Sequence, residues 1–378
     1  MRKKKIYWMT ADCFIDCDFN PNMLKTILLD FDIEWVIVFP DRLQRYNEAF
    51  FSSLKNLSGL NIRFIYSKYR QRNPLRFLSY LKCLIYSKLS RFDIIYINYT
   101  PTLFFSFISY FFDKKKTVFA VHQGNVHAGF TYPRMDIVIR KLTYSKVKYV
   151  VMFSKSQMTL FALNFPKAMI NYIPLSLKDF GVPSVDRPNY SIIRFLVFGS
   201  INYAKNIELL IDAACLVYEK GYRNFRVSIN GYCENWDFYI SRIKYPEIFE
   251  TNVRLIPNED IPNLFNSSHY LVQPYRALSQ SGPMKIAFNY NLPVIASDLE
   301  GFKDEIIDGV NGYIFPEGNL TALVNTLIAS IERSESDYRK LLKKGAIYIE
   351  QNYDINKISN GYKDMFHKII NRNERENS

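Results

Sequence analysis

The sequence predicts an α/β protein with two doubly wound domains in tandem, each built on a parallel sheet. Its 378 residues exceed the length of one ordinary compact domain. Short β-branched or apolar runs alternate with segments of helical period, which is typical of strands joined by crossover helices. The alternation stops at residues 178–191, where Gly181, Pro183 and Pro188 cluster, and then restarts. We therefore place a linker at that point.

The first domain, residues 1–180, contains six runs with strand character. They are residues 5–9, 34–39, 63–66, 94–98, 117–122 and 148–153. Residues 22–31 and 74–90 carry apolar side chains at every third or fourth position, which predicts helices. The uncharged stretch 94–112 is long enough for a membrane span, but polar residues and Pro101 interrupt it. A strand followed by a helix is the better interpretation.

The second domain, residues 181–352, repeats the same alternation. Strands are predicted at residues 192–198, 226–230, 253–256, 269–273 and 293–296, and helices at residues 206–220, 319–333 and 337–352. Residues 353–378 form a terminal helix that we expect to cross back to the first domain. The ends of parallel strands are where such folds bind ligands, so candidate site residues should follow the strands.

The excess of positive over negative charge lies entirely in the first half of the chain. The net charge is +13, and residues 1–180 carry 27 Lys or Arg against 12 Asp or Glu. Acidic residues are absent between Glu48 and Asp93. Residues 74–91 resemble an amphipathic basic helix that could lie on an anionic membrane surface, although its leucines could instead pack on the sheet. Nucleic acid is the rival partner, but no helix-turn-helix, RNP or zinc-finger pattern accompanies the charge. We therefore expect no nucleic-acid partner.

The five cysteines favour a reducing compartment. Their spacing fits neither a zinc site nor a disulfide framework. They are Cys13, Cys17, Cys83, Cys215 and Cys233. We therefore expect a cytoplasmic protein, with the basic half docking on the inner face of the membrane.

A first candidate site follows the strand that ends at Phe198. Gly199 and Ser200 form a turn, and Lys205 stands at the start of the next helix. A glycine permits a sharp turn, and a lysine near a helix start can reach a phosphate. An ordinary strand–turn–helix with a solvated lysine would show the same pattern. A Walker A loop is excluded because the Gly-Lys-Ser/Thr sequence is missing.

A second candidate site is the helix start formed by Gln280, Ser281, Gly282 and Pro283. Serine suits the N-cap position and proline suits the first helical turn. The backbone N–H groups of such a start point outward and favour an anion such as a diphosphate. A routine capped helix is the alternative.

A third candidate site is the loop after residues 293–297. It carries Asp304 and Glu305, followed by Asp308-Gly309 and Asn311-Gly312. A carboxylate here could hold sugar or ribose hydroxyls, and a polar turn with a capping acid is the alternative.

These three motifs, in this order and spacing, resemble the donor-binding domain of the retaining GT-B glycosyltransferases of family 4, the glycosyl transferases group 1. Gly199 and Lys205 match a glycine turn and a lysine six residues later. Residues 293–297 match a PVIAS strand, and Asp308-Gly309 begins a DG-x-NG element. The resemblance covers residues 192–370. It implies two Rossmann-like domains that face each other across a cleft.

The chain departs from the family pattern at three positions. Ser200 stands where the family commonly has an arginine. The paired glutamates of the family would fall on Leu278 and Ile286, although some branches have the form Gln-Ser-Gly found at Gln280. The third glutamate falls on Asp304 by spacing, while Glu305 is one position late, so the two acids stay as alternatives.

In the first domain, the segment from His122 to His127 resembles a strand-His-x-x-x-x-His element of the family. A histidine at a strand end can donate a hydrogen bond to a sugar hydroxyl. A metal pair is less favoured because no third ligand follows at useful spacing. A plain loop histidine is the alternative for His127.

The resemblance implies a retaining glycosyltransferase without a metal ion or other cofactor. It would move a sugar from a UDP- or GDP-sugar to a glycan or lipid-linked acceptor in surface polysaccharide biosynthesis. Lys205 and the amides near Ser281 would neutralise the diphosphate, and His122 with Asp304 or Glu305 would contact the sugar. A non-catalytic nucleotide-sugar-binding relative and a basic nucleic-acid-binding protein are the alternatives.

Overall fold

The computed structural model describes residues 2–11, 14–18, 20–40, 51–52, 54–69, 73–99, 101–124, 133–278 and 280–377. The chain divides into two compact units. The first comprises Met1–Ser176 together with Asp354–Ser378, and the second comprises Leu177–Tyr353. Each unit has its own parallel sheet, and each is described separately below.

The first unit is built on a seven-stranded parallel sheet with the strand order β3-β2-β1-β4-β5-β6-β7. Its inner strands are largely buried on both faces, as expected for a sheet covered by helices on two sides, and the edge strands β3 and β7 are partly exposed. The strands are β1 (Lys4–Ala11), β2 (Phe31–Pro40), β3 (Leu60–Ser67), β4 (Ile94–Asn98), β5 (Thr117–Val121), β6 (Tyr149–Met152) and β7 (Met169–Tyr172).

Six helices of the first unit connect these strands. Several begin at a side-chain cap, as at Asn20, Thr102 and Ser154, whose oxygens accept backbone N–H groups of the first turn. The helices are α1 (Ile15–Asp18), α2 (Pro21–Ile27), α3 (Phe77–Leu89), α4 (Leu103–Ser109), α5 (Pro133–Tyr144) and α6 (Lys155–Asn164).

The second unit repeats the plan with six parallel strands in the order β10-β9-β8-β11-β12-β13. The strands are β8 (Ile193–Phe198), β9 (Phe225–Asn230), β10 (Phe249–Asn252), β11 (Tyr270–Gln273), β12 (Val294–Ser297) and β13 (Gly312–Phe315). The helices are α7 (Ile207–Glu219), α8 (Trp236–Ile240), α9 (Ile261–Asn266), α10 (Gly282–Asn289), α11 (Glu300–Lys303), α12 (Leu320–Ile331) and α13 (Glu335–Tyr353).

The C-terminal helix, α14 (Ile355–Asn377), is part of the first unit. It packs against α2 and β4. Its rings Tyr362 and Phe366 lie within about 6 Å of the Trp8 ring, with centroid distances of 5.6 and 6.1 Å. This aromatic cluster joins the end of the chain to the first strand of the sheet.

The predicted fold class is confirmed, and most predicted strands lie in the sheets. The prediction of a strand at residues 253–256 is wrong, because the edge strand β10 occupies the more polar residues 249–252 instead. Ile256 is buried in an apolar cluster without pairing in the sheet. Residues 94–112 form β4 and α4, and among the described residues every helix is too short or too polar to cross a membrane.

Candidate functional site

The strand order of the second unit reverses between β8 and β11, which are neighbours in the sheet. In doubly wound sheets, ligands bind outside the carboxyl ends of the strands at such a reversal. The Gly199 turn follows β8, and the loop carrying Tyr275 follows β11. The candidate site is therefore built on these two strand ends and on α10, which follows the second loop.

The Gly199 turn lies against the first turn of α10. Gly199 has φ +112°, a conformation that favours glycine, and its N–H donates to the Asn230 carbonyl at 3.0 Å. A Cβ on Gly199 would lie 3.6 Å from Cγ of Pro283. A Cβ on Gly231 would meet the Gly199 carbonyl oxygen at 1.8 Å. Both glycines thus permit close backbone approach beside the helix start.

Lys205 ends a single 3-10 turn, Tyr203–Lys205, that Asn202 caps by accepting the Ala204 N–H at 3.1 Å. The Lys205 ammonium lies 3.8 Å from the ring centroid of Tyr275, on the loop after β11. An ammonium at this distance from an aromatic face is attracted by the ring. Tyr275 therefore holds the lysine at the neighbouring strand end.

The start of α10 is connected to Tyr275 through Gln273. The Gln273 Nε2 donates to the Tyr275 hydroxyl at 2.8 Å, and the Ser281 hydroxyl donates to Gln273 Oε1 at 3.0 Å. Ser281 Oγ also accepts the Met284 N–H at 3.1 Å, as an N-cap does. Pro283 has no N–H, so the Gly282 amide is the first-turn donor without an intrahelical acceptor. The positive end of α10 thus lies in the same network as Lys205.

A second contact ties the Lys205 turn to the β11 loop. The Arg276 N–H donates to the Ala204 carbonyl at 2.9 Å, and its guanidinium donates to the Tyr203 carbonyl and to Glu208 Oε1, both at 2.8 Å. Glu208 lies in the first turn of α7 and is buried. This ion pair positions the turn that carries Lys205.

A pocket opens beside the same turn. Its volume is about 550 Å³, within the usual range for small-molecule sites. Among its lining residues are Ser200, Tyr203, Glu208, Tyr232 and Phe238. The tyrosines and the phenylalanine are exposed, so flat aromatic faces are available to a ligand.

Asp304 and Glu305 have different environments. Asp304 is the C-cap residue of α11 and is half-buried. Glu305 is buried and forms an ion pair with Lys285 of α10, while the Tyr353 hydroxyl donates to the same carboxylate. Lys285 also donates to the Tyr353 hydroxyl at 3.1 Å. The Glu305 carboxylate is thus held in a buried cluster with Lys285 and Tyr353 inside the second unit.

In the first unit, His122 follows β5 and belongs to a buried polar network. Its Nε2 lies 2.8 Å from Asn98 Oδ1, and the Asn98 amide nitrogen donates to both carboxylate oxygens of Asp18 at 3.0 Å. This orientation of the amide makes His122 Nε2 the donor. The ring of Phe14 stacks on the imidazole at 4.0 Å. His127 lies outside the described residues.

Burial raises the pKa of Asp18 to about 7, and hydrogen bonds from Thr10 and Asn98 only partly offset this effect. The carboxyl therefore binds its proton more tightly in the folded protein than in the unfolded chain. Between the ordinary pKa of 3.8 and about 7, the folded state holds the extra proton, so stability falls as pH rises through this window. Above about pH 7 the carboxyl is ionised in both the folded and the unfolded state, so its effect on stability no longer changes with pH.

We predict that Asp18→Asn removes much of this pH dependence. The wild type should lose a few kcal/mol of stability between pH 4.5 and pH 8, and the variant should lose less, because asparagine does not ionise. Guanidinium titrations at both pH values measure the difference. Asp364→Asn, at an exposed aspartate of α14, is the matched control. An unchanged pH dependence in Asp18→Asn would contradict the assignment.

The structure brings together Gly199, Lys205 and the α10 start, with Ser200 in the adjoining pocket and Gln280 just before the cap. Sequence reasoning missed Gln273, Tyr275 and Arg276. Their position at the end of a buried strand, where Gln273 is the last residue and the other two follow, is the one signal that could have indicated them. Within the described ranges, no three His, Cys, Asp or Glu side chains are grouped as metal ligands would be.

A known protein family matches the part of the chain that contains this site. The family model described as Glycosyl transferases group 1 matches residues 193–333. This range runs from β8 through α12 and includes the Gly199 turn, Lys205 and α10. The match to the glycosyl transferases group 1 model thus falls within the second domain.

A similar glycosyltransferase is distant in sequence. The uncharacterized glycosyltransferase MJ1069 of Methanocaldococcus jannaschii is 21% identical over 260 residues, which cover 62% of each chain. The matched part thus spans less than two thirds of that protein.

Solved structures establish the fold. Sucrose-phosphate synthase from Thermosynechococcus elongatus has a TM-score of 0.75 and 13% identity, covering 98% of this chain and 100% of the other. Anabaena HepE in complex with UDP and glucose has a TM-score of 0.72 and 16% identity, covering 97% and 100%. The chain has the GT-B fold, as predicted.

Proposed function

We propose that this protein is a retaining glycosyltransferase that moves a sugar from a UDP- or GDP-sugar to a glycan or lipid-linked acceptor in surface polysaccharide biosynthesis. The observation that carries the proposal is the linkage of Lys205 to the capped start of α10 through Tyr275 and Gln273. This arrangement directs positive charge to one edge of the sheet. It is the environment that a diphosphate requires.

In such a reaction negative charge develops on the departing diphosphate, and catalysis requires that this charge be stabilised. Lys205 and the Gly282 amide are proposed to stabilise that charge without a metal ion, because they aim a cation and a helix N-terminus at the same region. The pocket beside the Gly199 turn offers space and aromatic faces for the nucleoside. Structures with related folds support a nucleotide donor, since Anabaena HepE is described in complex with UDP-glucose.

Asp304 of the second unit is proposed as a sugar contact, and the sugar contact expected at His122 of the first unit stays a separate prediction. Glu305 is engaged by Lys285 and Tyr353, which leaves the half-buried Asp304 as the better candidate of the two acids. Because His122 Nε2 donates to Asn98, the neutral imidazole is proposed to accept a hydrogen bond from a sugar hydroxyl at Nδ1.

A non-catalytic binding protein is the second candidate, because Leu278 and the buried Ile286 occupy the positions of the paired glutamates. Incubation with UDP- and GDP-sugars, with and without lipid-linked glycan acceptors, separates the two. Acceptor-dependent release of nucleoside diphosphate and a glycosylated product support the enzyme. Donor binding without any product would support the binding protein.

An anionic membrane surface is proposed as the partner of the first unit. The outer face of α3 exposes Leu78, Ile85 and Leu89 beside Lys82 and Lys88. Its buried side, in contrast, includes Tyr80, Cys83 and Leu84. The adjoining α4 and the turn after it add two exposed rings, Phe107 and Phe111. Apolar side chains next to lysines suit an interface with acidic lipids.

We predict that Lys82→Glu/Lys88→Glu weakens binding to phosphatidylglycerol vesicles by at least about tenfold, since each nearby cation contributes about 1 kcal/mol. Vesicle sedimentation at low and high salt measures the effect. Lys343→Glu/Lys344→Glu, on exposed positions of α13, is the control with the same charge change. Equal loss in both variants, or no binding by the wild type at low salt, would contradict a docking face on α3.

A further inference from the structure

A series of hydrogen bonds connects a buried carboxylate to His122. It begins at Asp18, the last residue of α1, and passes through Asn98, the last residue of β4. Asp18 and Asn98 are 1% and 0% exposed, whereas His122 is half-buried. A fully buried acid is thus linked to a side chain that lies nearer the surface.

The sheet of the first unit holds this series in place. Thr10 of β1 and Asn98 of β4 are paired directly in the sheet, and His122 follows β5, the strand next to β4. Asp18 reaches the same edge from α1, where the Thr10 hydroxyl donates to its Oδ2 at 2.6 Å. The carboxyl ends of parallel strands form the edge at which such sheets bind ligands. The series therefore lies on regular elements at the edge where a ligand would bind.

The carboxylate determines which way the Asn98 amide faces. Asn98 Nδ2 donates to both oxygens of Asp18 at 3.0 Å, and an ionised carboxylate can only accept. Trp35 Nε1 donates to the Thr10 hydroxyl at 2.8 Å, so that hydroxyl directs its own proton to Asp18. A flipped Asn98 amide would place its oxygen against the carboxylate, with no proton between the two acceptors. Asn98 Oδ1 must therefore face His122.

The orientation of Asn98 in turn fixes the tautomer of His122. Asn98 Oδ1 lies 2.8 Å from His122 Nε2 and accepts, so the proton of the neutral imidazole stays on Nε2 and Nδ1 carries the lone pair. The rings of Phe14 and Phe153 lie 4.0 and 4.7 Å from the imidazole and hold its plane. This tautomer is the one that can accept a hydrogen bond at Nδ1.

We propose that Asp18 is a positioning residue, which acts through Asn98 to keep the proton of His122 on Nε2 so that Nδ1 accepts from a sugar hydroxyl. The inference rests on the proposed function and adds to it a buried residue that no motif indicated. Burial raises the pKa of Asp18 to about 7, so an acid at this place costs stability. Such a cost is expected where a function requires the group.

Ring spectra of the full-length protein, labelled with ¹⁵N-histidine, test the proposal at a pH of about 8, where the Asp18 carboxyl is ionised. The chain has four histidines, and the spectrum of His122→Gln identifies the signals of His122. We expect the wild type to carry the proton on Nε2. Asp18→Leu keeps the shape of the side chain but removes both acceptors, so both tautomers of His122 should appear.

Initial rates of sugar transfer separate positioning from donor binding. Asp18→Leu and Asn98→Leu should each lower kcat about tenfold to a hundredfold, the cost of one misplaced hydrogen bond in a buried site. The double variant should lose no more than Asn98→Leu alone, because Asp18 acts through Asn98. The affinity for UDP or GDP should not change in these variants, since Lys205 and α10 belong to the second unit.

Three results would overturn the inference and leave the proposed function intact. They are a wild-type proton on Nδ1 of His122, the wild-type tautomer in Asp18→Leu, and losses of kcat that add in the double variant. The first needs no variant, so it decides even if Asp18→Leu fails to fold. If the wild type transfers no sugar, the proposed function falls with the sugar contact, and the ring spectra still decide whether Asp18 sets the tautomer.

Discussion

Lys205→Ala should lower turnover of the nucleotide sugar by about a hundredfold to a thousandfold, the usual cost of removing one group that stabilises developing charge. The ammonium lies against the Tyr275 ring, and the side chain is half-exposed, so we expect folding to tolerate its removal. Initial rates at saturating donor measure the effect. The loss should appear in kcat as well as in donor affinity, because charge on the diphosphate grows as the bond to the sugar breaks.

Two further variants test whether the loss of turnover is specific to Lys205. Lys343→Ala removes an exposed lysine of α13 and should leave turnover unchanged. Tyr275→Leu keeps Lys205 but removes the ring that holds it, and should lower turnover by a smaller factor. Wild-type turnover in Lys205→Ala, with correct folding, would show that the lysine is not part of the diphosphate site.

Glu305→Ala should destabilise the second domain by about 3–5 kcal/mol, because the substitution leaves a buried ammonium without its counter-charge. The side chains of Lys285 and Glu305 are 1% and 8% exposed, so water does not replace the lost partner. The Tyr353 hydroxyl remains but carries no charge. Guanidinium unfolding, followed by a probe in the second domain, measures the change.

A nearby exposed ion pair provides the matched control. Glu300 contacts Lys303 at 2.5 Å, and both side chains are largely exposed. Glu300→Ala should therefore cost less than about 1 kcal/mol. The double variant Lys285→Met/Glu305→Leu should recover most of the loss of Glu305→Ala, since an apolar pair does not need a counter-charge. Equal unfolding midpoints for Glu300→Ala and Glu305→Ala would contradict a structural role for the buried pair.

The fold was predictable because the pattern of a parallel sheet is repeated along the chain. Strands buried on both faces produce continuous apolar runs, as in residues 94–98 and 117–121, and these stand out from helical segments. Edge strands lack that signal. β10 is largely polar and β7 is half-exposed. The strand predicted at residues 253–256 therefore lies one strand length after β10, and no strand was predicted at β7.

The candidate site was predictable only where a backbone conformation demands a residue type. Gly199 needs positive φ and Ser281 caps a helix, so both leave a mark in the sequence. Gln273 and Tyr275 act through side chains at the end of β11 that meet the start of α10 and Lys205. Their roles depend on tertiary placement, which local patterns do not encode.

The alternative acids illustrate the same limit. Spacing favoured Asp304 and residue type favoured Glu305, and the sequence offered no way to choose. The buried lysine at position 285 supplies the physical reason to separate them, because an ammonium inside the domain requires a carboxylate. The matching pair lies 20 residues apart in the chain.

Calorimetric titration of UDP, GDP and ADP, each beside its nucleoside, tests the central claim that the second domain binds a nucleotide through its diphosphate. We predict that at least one of the three diphosphates binds at one site per chain and that the corresponding nucleoside binds far more weakly, because Lys205 and the start of α10 interact with the phosphates. Absence of binding by all three diphosphates, or a nucleoside that binds as tightly as its diphosphate, would contradict the claim.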